Sequence, residues 1–294
     1  MPSLNLTPQQ LAEQVNHLFT LPDIALRINA LLKQKNTTQA DLEAVIENDP
    51  ALAAQLLKLV NSSYYGFPQK IDNLARAITI IGHKDLQMLI MATAVIKTFK
   101  GIPESLVDMN IFWFHSVTCA VIARLLAKQL KLTDTERFFI AGLLHSIGKM
   151  MFFSQYPAQS SEILKLKEHG VKAIQQAEIN SFGFTYAEAG AALLEKWQLP
   201  QSIWKMIAYH LQPLNSGGSV EDACLLNVAA DMTDKLEPCV KVDLGNEEPD
   251  IDFNKPAYRY LQLRTEQTSE VIQDAIFESF EILSILHPQA AQIF

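Results

Sequence analysis

The sequence predicts an all-α protein folded as a multi-helix bundle, and three observations support this prediction. Apolar residues recur along most of the chain at steps of three and four, the spacing of one face of an α-helix. Alternating strand patterns of any length are lacking, and glycine accounts for only 11 of the 294 residues. Apolar residues make up 49% of the chain, which is enough to bury a large core.

Four apolar stripes justify the helices in chain order. In the first, Asp49 can cap a helix that Pro50 opens, because proline suits the first helical turn. Every stripe has the three- and four-residue spacing of a buried helix face, and together the stripes lie within residues 42–60, 117–126, 189–197 and 271–283.

Two segments with helix-breaking residues divide the chain. Gly101-Ile102-Pro103 interrupts the helical pattern, which predicts an N-terminal helical lobe over residues 1–102 and a second helical lobe over residues 103–241. Residues 242–257 combine five acidic residues with proline and glycine, as is typical of an exposed linker or surface loop. The helical pattern returns in a C-terminal segment, residues 258–294.

Charge and cysteine content exclude several classes of function. The net charge is −8, and lysine and arginine form no run, so we expect no nucleic-acid binding. The three cysteines are widely spaced and lack a CxxC pair, which favours reduced thiols over disulfides or a zinc site. The N-terminus lacks a secretory signal, and the apolar run around residues 88–96 is far shorter than a membrane span. We therefore expect a cytoplasmic protein without membrane contact.

Three histidines and one aspartate are the best candidates for a metal site. His145 lies in the segment AGLLHSIGK, where a following glycine can end the helix, and His115 lies upstream in a second apolar segment. His210 and Asp231 follow in two further apolar helical segments. Side chains that project from separate helices into one core can build a metal site. Alternatively, each histidine is a hydrogen-bonded core residue, and Asp231 caps a turn or pairs with Lys235.

Several motifs together resemble a known family. The segment GLLHSIGK is similar to the GLLHDIGK signature of the HD superfamily of metal-dependent phosphohydrolases. The run from Asp49-Pro50 to the segment NSSYYG resembles the HDOD (HD-related output domain) family, as do residues 71–82 and 182–200. The likeness extends over about residues 21–236. It implies an N-terminal lobe packed on a degenerate HD-like lobe, and a role in bacterial signal transduction.

The resemblance implies metal ligands at His115, His145, His210 and Asp231, but three residues depart from the family pattern. Ser146 replaces the aspartate of the HD doublet, Tyr186 stands where a histidine is expected, and Leu211 replaces a second histidine. A serine hydroxyl carries no charge and is a poor ligand for Mg²⁺, Mn²⁺ or Fe²⁺. We therefore expect a vestigial site with no catalytic residue and no cofactor, or at most a weakly bound divalent metal.

Four other residues have two possible roles. Lys149 matches a lysine that can contact a substrate phosphate, but a solvated lysine after a helix end, where the helix dipole favours a cation, explains it too. Asn61, Tyr64 and Tyr65 form either a turn that packs between the lobes or a contact surface for another protein domain.

The sequence favours one of two functions. The preferred hypothesis is a non-catalytic regulatory module that acts through another signalling protein in trans or through a small ligand such as a nucleotide second messenger. The alternative is a divergent metal-dependent phosphohydrolase that acts on a nucleotide or cyclic dinucleotide. A further hypothesis is that the segment after Val242 binds a partner or forms a homo-oligomer.

Overall fold

The computed structural model describes residues 6–15, 22–32, 34, 36–98, 102–236 and 250–292. Within these residues the chain forms α-helices and short 3₁₀ turns and has no strand, which confirms the all-α prediction. The helices are α1 (Pro8–Val15), α2 (Asp23–Leu32), α3 (Gln39–Glu47), α4 (Pro50–Val60), α5 (Leu74–Thr98), α6 (Met109–Gln129), α7 (Glu136–Leu144), α8 (Ile147–Gln155), α9 (Pro157–Leu164), α10 (Val171–Phe182), α11 (Tyr186–Lys196), α12 (Gln201–Tyr209), α13 (Val220–Leu236), α14 (Pro256–Leu261) and α15 (Thr265–Leu286).

The N-terminal lobe consists of α2 to α5, with α5 packed against the other three helices. α1, which the prediction placed in this lobe, packs instead on α11 and α8 of the second lobe. Helix α4 begins where the sequence places a cap. Asp49 accepts a hydrogen bond from the Leu52 amide at 3.0 Å, and Pro50 occupies the first turn of α4, as predicted. α5 is bent at Gly82, whose φ of 82° lies in the left-handed region that glycine adopts without strain.

Helix α6 is the centre of the second lobe and packs against α7, α13 and α15. It begins at Met109 and is capped by the preceding Asp108, whose side chain accepts a hydrogen bond from the Asn110 amide at 2.8 Å. By length and composition α6 is apolar enough to cross a membrane, but most of it is buried inside the protein, as in the core helix of a bundle.

The C-terminal segment belongs to the same bundle. The apolar face of α15 packs on α6 and α4, and Gln55 donates a hydrogen bond to the Ile285 carbonyl at 3.3 Å. α14 begins at Pro256, inside the predicted linker, and its Tyr258 is fully buried against α13. The acidic residues Asp243, Glu247 and Glu248 lie outside the described part of the chain.

Candidate functional site

Three helices bring His115, His145 and His210 together, as the sequence predicts; we call these residues the histidine cluster. His115 lies within α6, and His145 and His210 follow the last residues of α7 and α12. The Nε2 atoms of His115 and His145 are 3.4 Å apart, and the ring centroids of His145 and His210 are 5.7 Å apart. All three side chains are buried. Two helix ends and one helix face thus direct three imidazoles into one interior region.

Hydrogen bonds fix the protonation of His145. Its Nδ1 lies 2.7 Å from the Gly142 carbonyl, so Nδ1 donates and Nε2 is left as an acceptor. The Ser146 hydroxyl lies 2.8 Å from that Nε2 and donates to it. The residue that replaces the aspartate of the HD doublet therefore occupies the lone pair with which His145 would bind a metal.

His210 repeats this arrangement. Its Nδ1 donates to the Ile207 carbonyl at 2.6 Å, and its Nε2 accepts a hydrogen bond from the Tyr186 hydroxyl at 3.0 Å. Asn227 on α13 also donates to the His210 carbonyl at 2.8 Å, which holds the end of α12 in place. A second residue that departs from the family pattern thus occupies a second imidazole lone pair.

The residues that surround the histidine cluster do not fit a tightly bound divalent metal. Two imidazole lone pairs are engaged by hydroxyl groups, and Ser146 supplies no anionic oxygen. Across the described ranges, no group of three or more His, Cys, Asp or Glu side chains is arranged to hold a metal ion. Burial lowers the pKa of His145 and His210, and the nearby Lys149 ammonium lowers the pKa of both further; the same charge would repel a dication.

Asp231 does not lie with the histidines, contrary to the ligand set that the resemblance implies. Its carboxylate forms an ion pair with Lys255 and accepts a hydrogen bond from Tyr258 at 2.9 Å, which fastens α14 to α13. Asp234, one turn further along α13, lies 3.8 Å from His115 Nε2 and is half-exposed. Both aspartates lie on an amphipathic helix, and only its rotation in the bundle decides which one faces the histidines.

Burial keeps the imidazoles of His145 and His210 neutral. It lowers the pKa of His145 well below its usual value, and the neighbouring His115 and His210 add to this effect. Burial also lowers the pKa of His210 to about 4. Neutral rings accept hydrogen bonds from Ser146 and Tyr186, whereas protonated rings would lose both acceptors.

Sequence reasoning missed Glu178, which positions Tyr186. The Glu178 carboxylate is buried and accepts a hydrogen bond from the Tyr186 amide at 3.0 Å, at the first residue of α11. Burial raises the pKa of Glu178 to about 7. Glu178 lies four residues before Phe182, on the same face of α10, and this spacing is the one signal that the sequence contained.

Gly148 does not end a helix, contrary to its predicted role. It lies in the first turn of α8, where α8 crosses α11. A Cβ atom at this position would lie only 1.9 Å from the Tyr186 carbonyl oxygen and 2.7 Å from the Gly190 amide nitrogen. The missing side chain therefore lets α8 approach α11, which brings Ser146 and Tyr186 to the same cluster.

Lys149 also differs from its predicted setting. It lies in the first turn of α8 and not after a helix end, so the helix dipole disfavours its charge. The side chain is half-buried, and its Nζ lies 4.6 Å from the centroid of the Tyr186 ring. Within the described part of the chain, no carboxylate forms an ion pair with this ammonium group.

A cavity of about 590 Å³ adjoins the histidine cluster. Its buried end contains His145, Ser146 and Tyr186, and its half-buried Lys149 lies beside them. The exposed residues Asp108, Lys167 and Val171 mark its mouth. Most of the wall between is apolar, with large side chains from α6, α8, α9 and α10: Phe112, Phe152, Phe153, Ile163, Ile174 and Phe182.

Tyr64 lies in a second buried polar cluster, which joins the two lobes. Its hydroxyl donates to the Glu136 carboxylate at 2.5 Å, and its ring lies under the Arg124 guanidinium, 3.4 Å from the centroid. Arg124 forms ion pairs with Glu136 at 3.4 Å and Glu278 at 3.5 Å, and it donates to the Tyr64 carbonyl. We call Tyr64, Arg124, Glu136 and Glu278 the interlobe network. Because Tyr64 is only 1% exposed, it packs between the lobes and offers no surface to another protein.

Asn61 and Tyr65 also make contacts within the chain. The Asn61 side chain donates to the Ile71 carbonyl and accepts from the Ile71 amide, both at 2.7 Å, which closes the loop after α4. The half-buried Tyr65 ring stacks on Phe67 with 5.7 Å between centroids. These contacts explain both residues as parts of the turn after α4, and an interface role for them stays a prediction.

Comparison with known proteins agrees with this architecture. The family model of the HDOD domain matches residues 18–213. A candidate phosphohydrolase from Shewanella amazonensis SB2B is 22% identical, with a TM-score of 0.64 over 96% of this chain and 93% of its own. An HDOD domain protein with unknown function from Geobacter sulfurreducens is 23% identical, with a TM-score of 0.67 over 95% of this chain and 98% of its own. At these identities, the two structures establish a shared fold alone.

One curated relative extends beyond the present chain. An uncharacterized protein from Treponema pallidum (strain Nichols) is 23% identical over 275 residues. The match covers 92% of this chain but spans only 51%, about half, of the relative's length. The family model matches residues 18–213, and the helical bundle and the three converging histidines agree with it. This chain therefore belongs to the HDOD family.

Proposed function

We propose that this chain is a non-catalytic regulatory module of the HDOD type, which acts through contacts with a small ligand or another protein. One observation carries the proposal: the hydroxyls of Ser146 and Tyr186 hold the imidazole acceptors with which an HD-type enzyme would bind its metal. Metal-assisted hydrolysis needs a firmly held cation that lowers the pKa of bound water. The uncharged hydroxyl groups of Ser146 and Tyr186 are poor metal ligands and would not hold such a cation firmly.

A second function, divergent metal-dependent phosphohydrolysis of a nucleotide or cyclic dinucleotide, has one observation in its favour. A cavity large enough for a substrate opens beside His145 and contains Lys149, which could bind a phosphate. The alternative therefore needs the same cavity but also a metal, and metal content separates the two functions.

The decisive experiment measures metal content and turnover on the full chain. We expect the protein, after incubation with Mn²⁺ and gel filtration, to hold no stoichiometric metal. We also expect no hydrolysis of a phosphoester panel above that of His145→Ala. One metal per chain together with turnover that His145→Ala abolishes would contradict the proposal.

A gain-of-binding variant sharpens this experiment. Ser146→Asp with Tyr186→His restores an anionic oxygen and an imidazole and removes both hydroxyl hydrogen bonds, so we expect it to bind Mn²⁺ more tightly than the parent protein. Ser154→Asp, on α8 but outside the cavity, is the control for an added carboxylate and should leave Mn²⁺ affinity unchanged. Equal affinity of the parent and the double variant would show that the two hydroxyls do not prevent metal binding.

A further inference from the structure

We infer that the cavity beside the histidine cluster binds an amphiphile with one negative charge, of the chemical class of a medium-chain carboxylic acid, with its head group at Lys149 and its chain along the phenylalanine wall. This inference rests on the proposed regulatory function, because it names the ligand class that the same site would sense. The cavity volume of about 590 Å³ falls within the range of small-molecule pockets, roughly 300–1,000 Å³.

Lys149 indicates the charge of the ligand. Its ammonium is half-buried, lies in a helix turn whose dipole disfavours a cation, and has no carboxylate in ion-pair contact among the described residues. Among the described residues, the ammonium contacts the face of the Tyr186 ring. A cation in this setting gains most from an anion that enters the cavity, because partial desolvation strengthens the attraction.

The cavity lining limits that anion to a single charge. Two lysines, Lys149 and Lys167, line the cavity together with three acidic residues, Asp108, Glu178 and Asp234. A nucleotide or cyclic dinucleotide would bring several negative charges to a lining in which acidic residues already outnumber basic ones, three to two. Like charges brought together at an interface oppose binding, so such a ligand is disfavoured.

The walls indicate an apolar body. Phe152 and Phe182 stack with 4.1 Å between ring centroids, and both side chains are almost fully buried although they line the cavity. Phe112, Phe153 and Ile163 add further apolar surface. Burial of a ligand's methylene groups against such walls contributes roughly 0.8 kcal/mol each, or about a fourfold gain in affinity per methylene.

Ser160 on α9 adds an independent observation. It lines the cavity and is only 2% exposed, yet its hydroxyl has no hydrogen-bond partner among the described residues. Buried hydroxyls are usually hydrogen-bonded, and the adjoining cavity leaves room for a ligand oxygen or a water to bond this one.

Calorimetric titration of the full chain tests the inference, with octanoate, decanoate and dodecanoate as probes below their micelle concentrations. We expect saturable binding of one molecule per chain and about fourfold tighter binding per added methylene. Dodecanol, which has the same chain but no charge, should bind about tenfold more weakly or worse, because a hydrogen bond to a charged group is lost.

Two matched pairs of variants locate the binding. Lys149→Met should remove the advantage of dodecanoate over dodecanol, whereas Lys172→Met, at an exposed lysine of α10 outside the cavity, should not. Ile174→Trp should block both probes by filling the cavity from its wall. Ile179→Trp, on the same helix and outside the cavity, should leave both affinities unchanged.

Equal binding of dodecanoate and dodecanol, binding unchanged in Lys149→Met or Ile174→Trp, or tighter binding of a cyclic dinucleotide than of dodecanoate would each overturn the inference. Failure of the proposed function gives a different result, namely stoichiometric metal and phosphoester turnover. A protein that lacks both and also fails to bind dodecanoate would retain the proposed function and refute only the ligand class.

Discussion

The interlobe network and the histidine cluster are both buried polar groups within the bundle, but they balance their charges differently. In the interlobe network, Arg124 is paired with Glu136 and Glu278, and Tyr64 donates to Glu136. In the histidine cluster, burial keeps His145 and His210 neutral, and hydroxyl groups satisfy their ring nitrogens. A network whose charged groups are paired with one another can serve structure alone.

The second difference is the space around the two clusters. The residues of the interlobe network do not line the cavity, whereas His115 and His145 do, together with Lys149. The comparison teaches that Tyr64 of the NSSYYG segment joins the lobes, and that, of the two clusters, it is the histidine cluster that adjoins the cavity. The following predictions test this contrast in order of decreasing effect.

Loss of Arg124 should destabilise the protein most. Arg124→Met leaves the buried Glu136 carboxyl without its ion-pair partner, so we expect the free energy of unfolding to fall by about 3–5 kcal/mol. Urea unfolding followed by circular dichroism measures this change. Arg76→Met, at an exposed arginine, should cost about 1 kcal/mol or less. Similar losses in the two variants would contradict the structural role of the interlobe network.

Acid should weaken the histidine cluster through His210. The pKa of His210 is about 4 in the folded protein and about 6.5 in an unfolded chain. Between these values the unfolded chain binds more protons, so the contribution of His210 to stability is complete above about pH 6.5 and is lost as the pH falls to about 4. The maximum slope is about 1.4 kcal/mol per pH unit.

The pH effect is best measured as a difference between variants, because the raised pKa of Glu178, about 7, acts with the opposite sign. Relative to His210→Gln, the unmodified protein should lose stability as the pH falls from about 7 to about 5. His169→Gln, at an exposed histidine, controls for the loss of a surface imidazole. A constant difference between the unmodified protein and His210→Gln across this range would show that His210 is not held neutral by burial.

The same substitution made in both clusters should have unequal effects. Tyr64→Phe removes a hydrogen bond to the Glu136 carboxylate and should cost about 1.5–3 kcal/mol, whereas Tyr186→Phe removes one to a neutral imidazole and should cost about 0.5–1.5 kcal/mol. Each phenylalanine keeps the ring that contacts Arg124 or Lys149. Urea unfolding at neutral pH compares the two, and a larger cost for Tyr186→Phe would reverse the proposed contrast.

Local signals in the sequence predicted much of the fold and part of the site. The cap at Asp49 and Pro50 was correct, because capping depends on a few neighbouring residues. The family pattern brought His115, His145 and His210 together correctly and identified Ser146 and Tyr186 as departures. It could not reveal that the hydroxyls of these two residues bond the histidines. The direction of the Ser146 hydroxyl depends on the local backbone and rotamer, and Tyr186 reaches His210 from a different helix.

The sequence by itself determined that this chain is helical, that a helix begins at Pro50 after a cap at Asp49, and that Ser146 stands in place of the aspartate of the HD doublet. Only the tertiary structure decided that Asp234 and not Asp231 faces the histidines, and that Tyr64 is buried between the lobes. It also decided that Lys149 lies in the first turn of a helix, where the helix dipole disfavours its positive charge. The reason is physical. Periodicity and capping act within one helix, whereas the rotation of a helix about its axis, and hence the partners of its polar side chains, is set by packing against helices distant in the sequence.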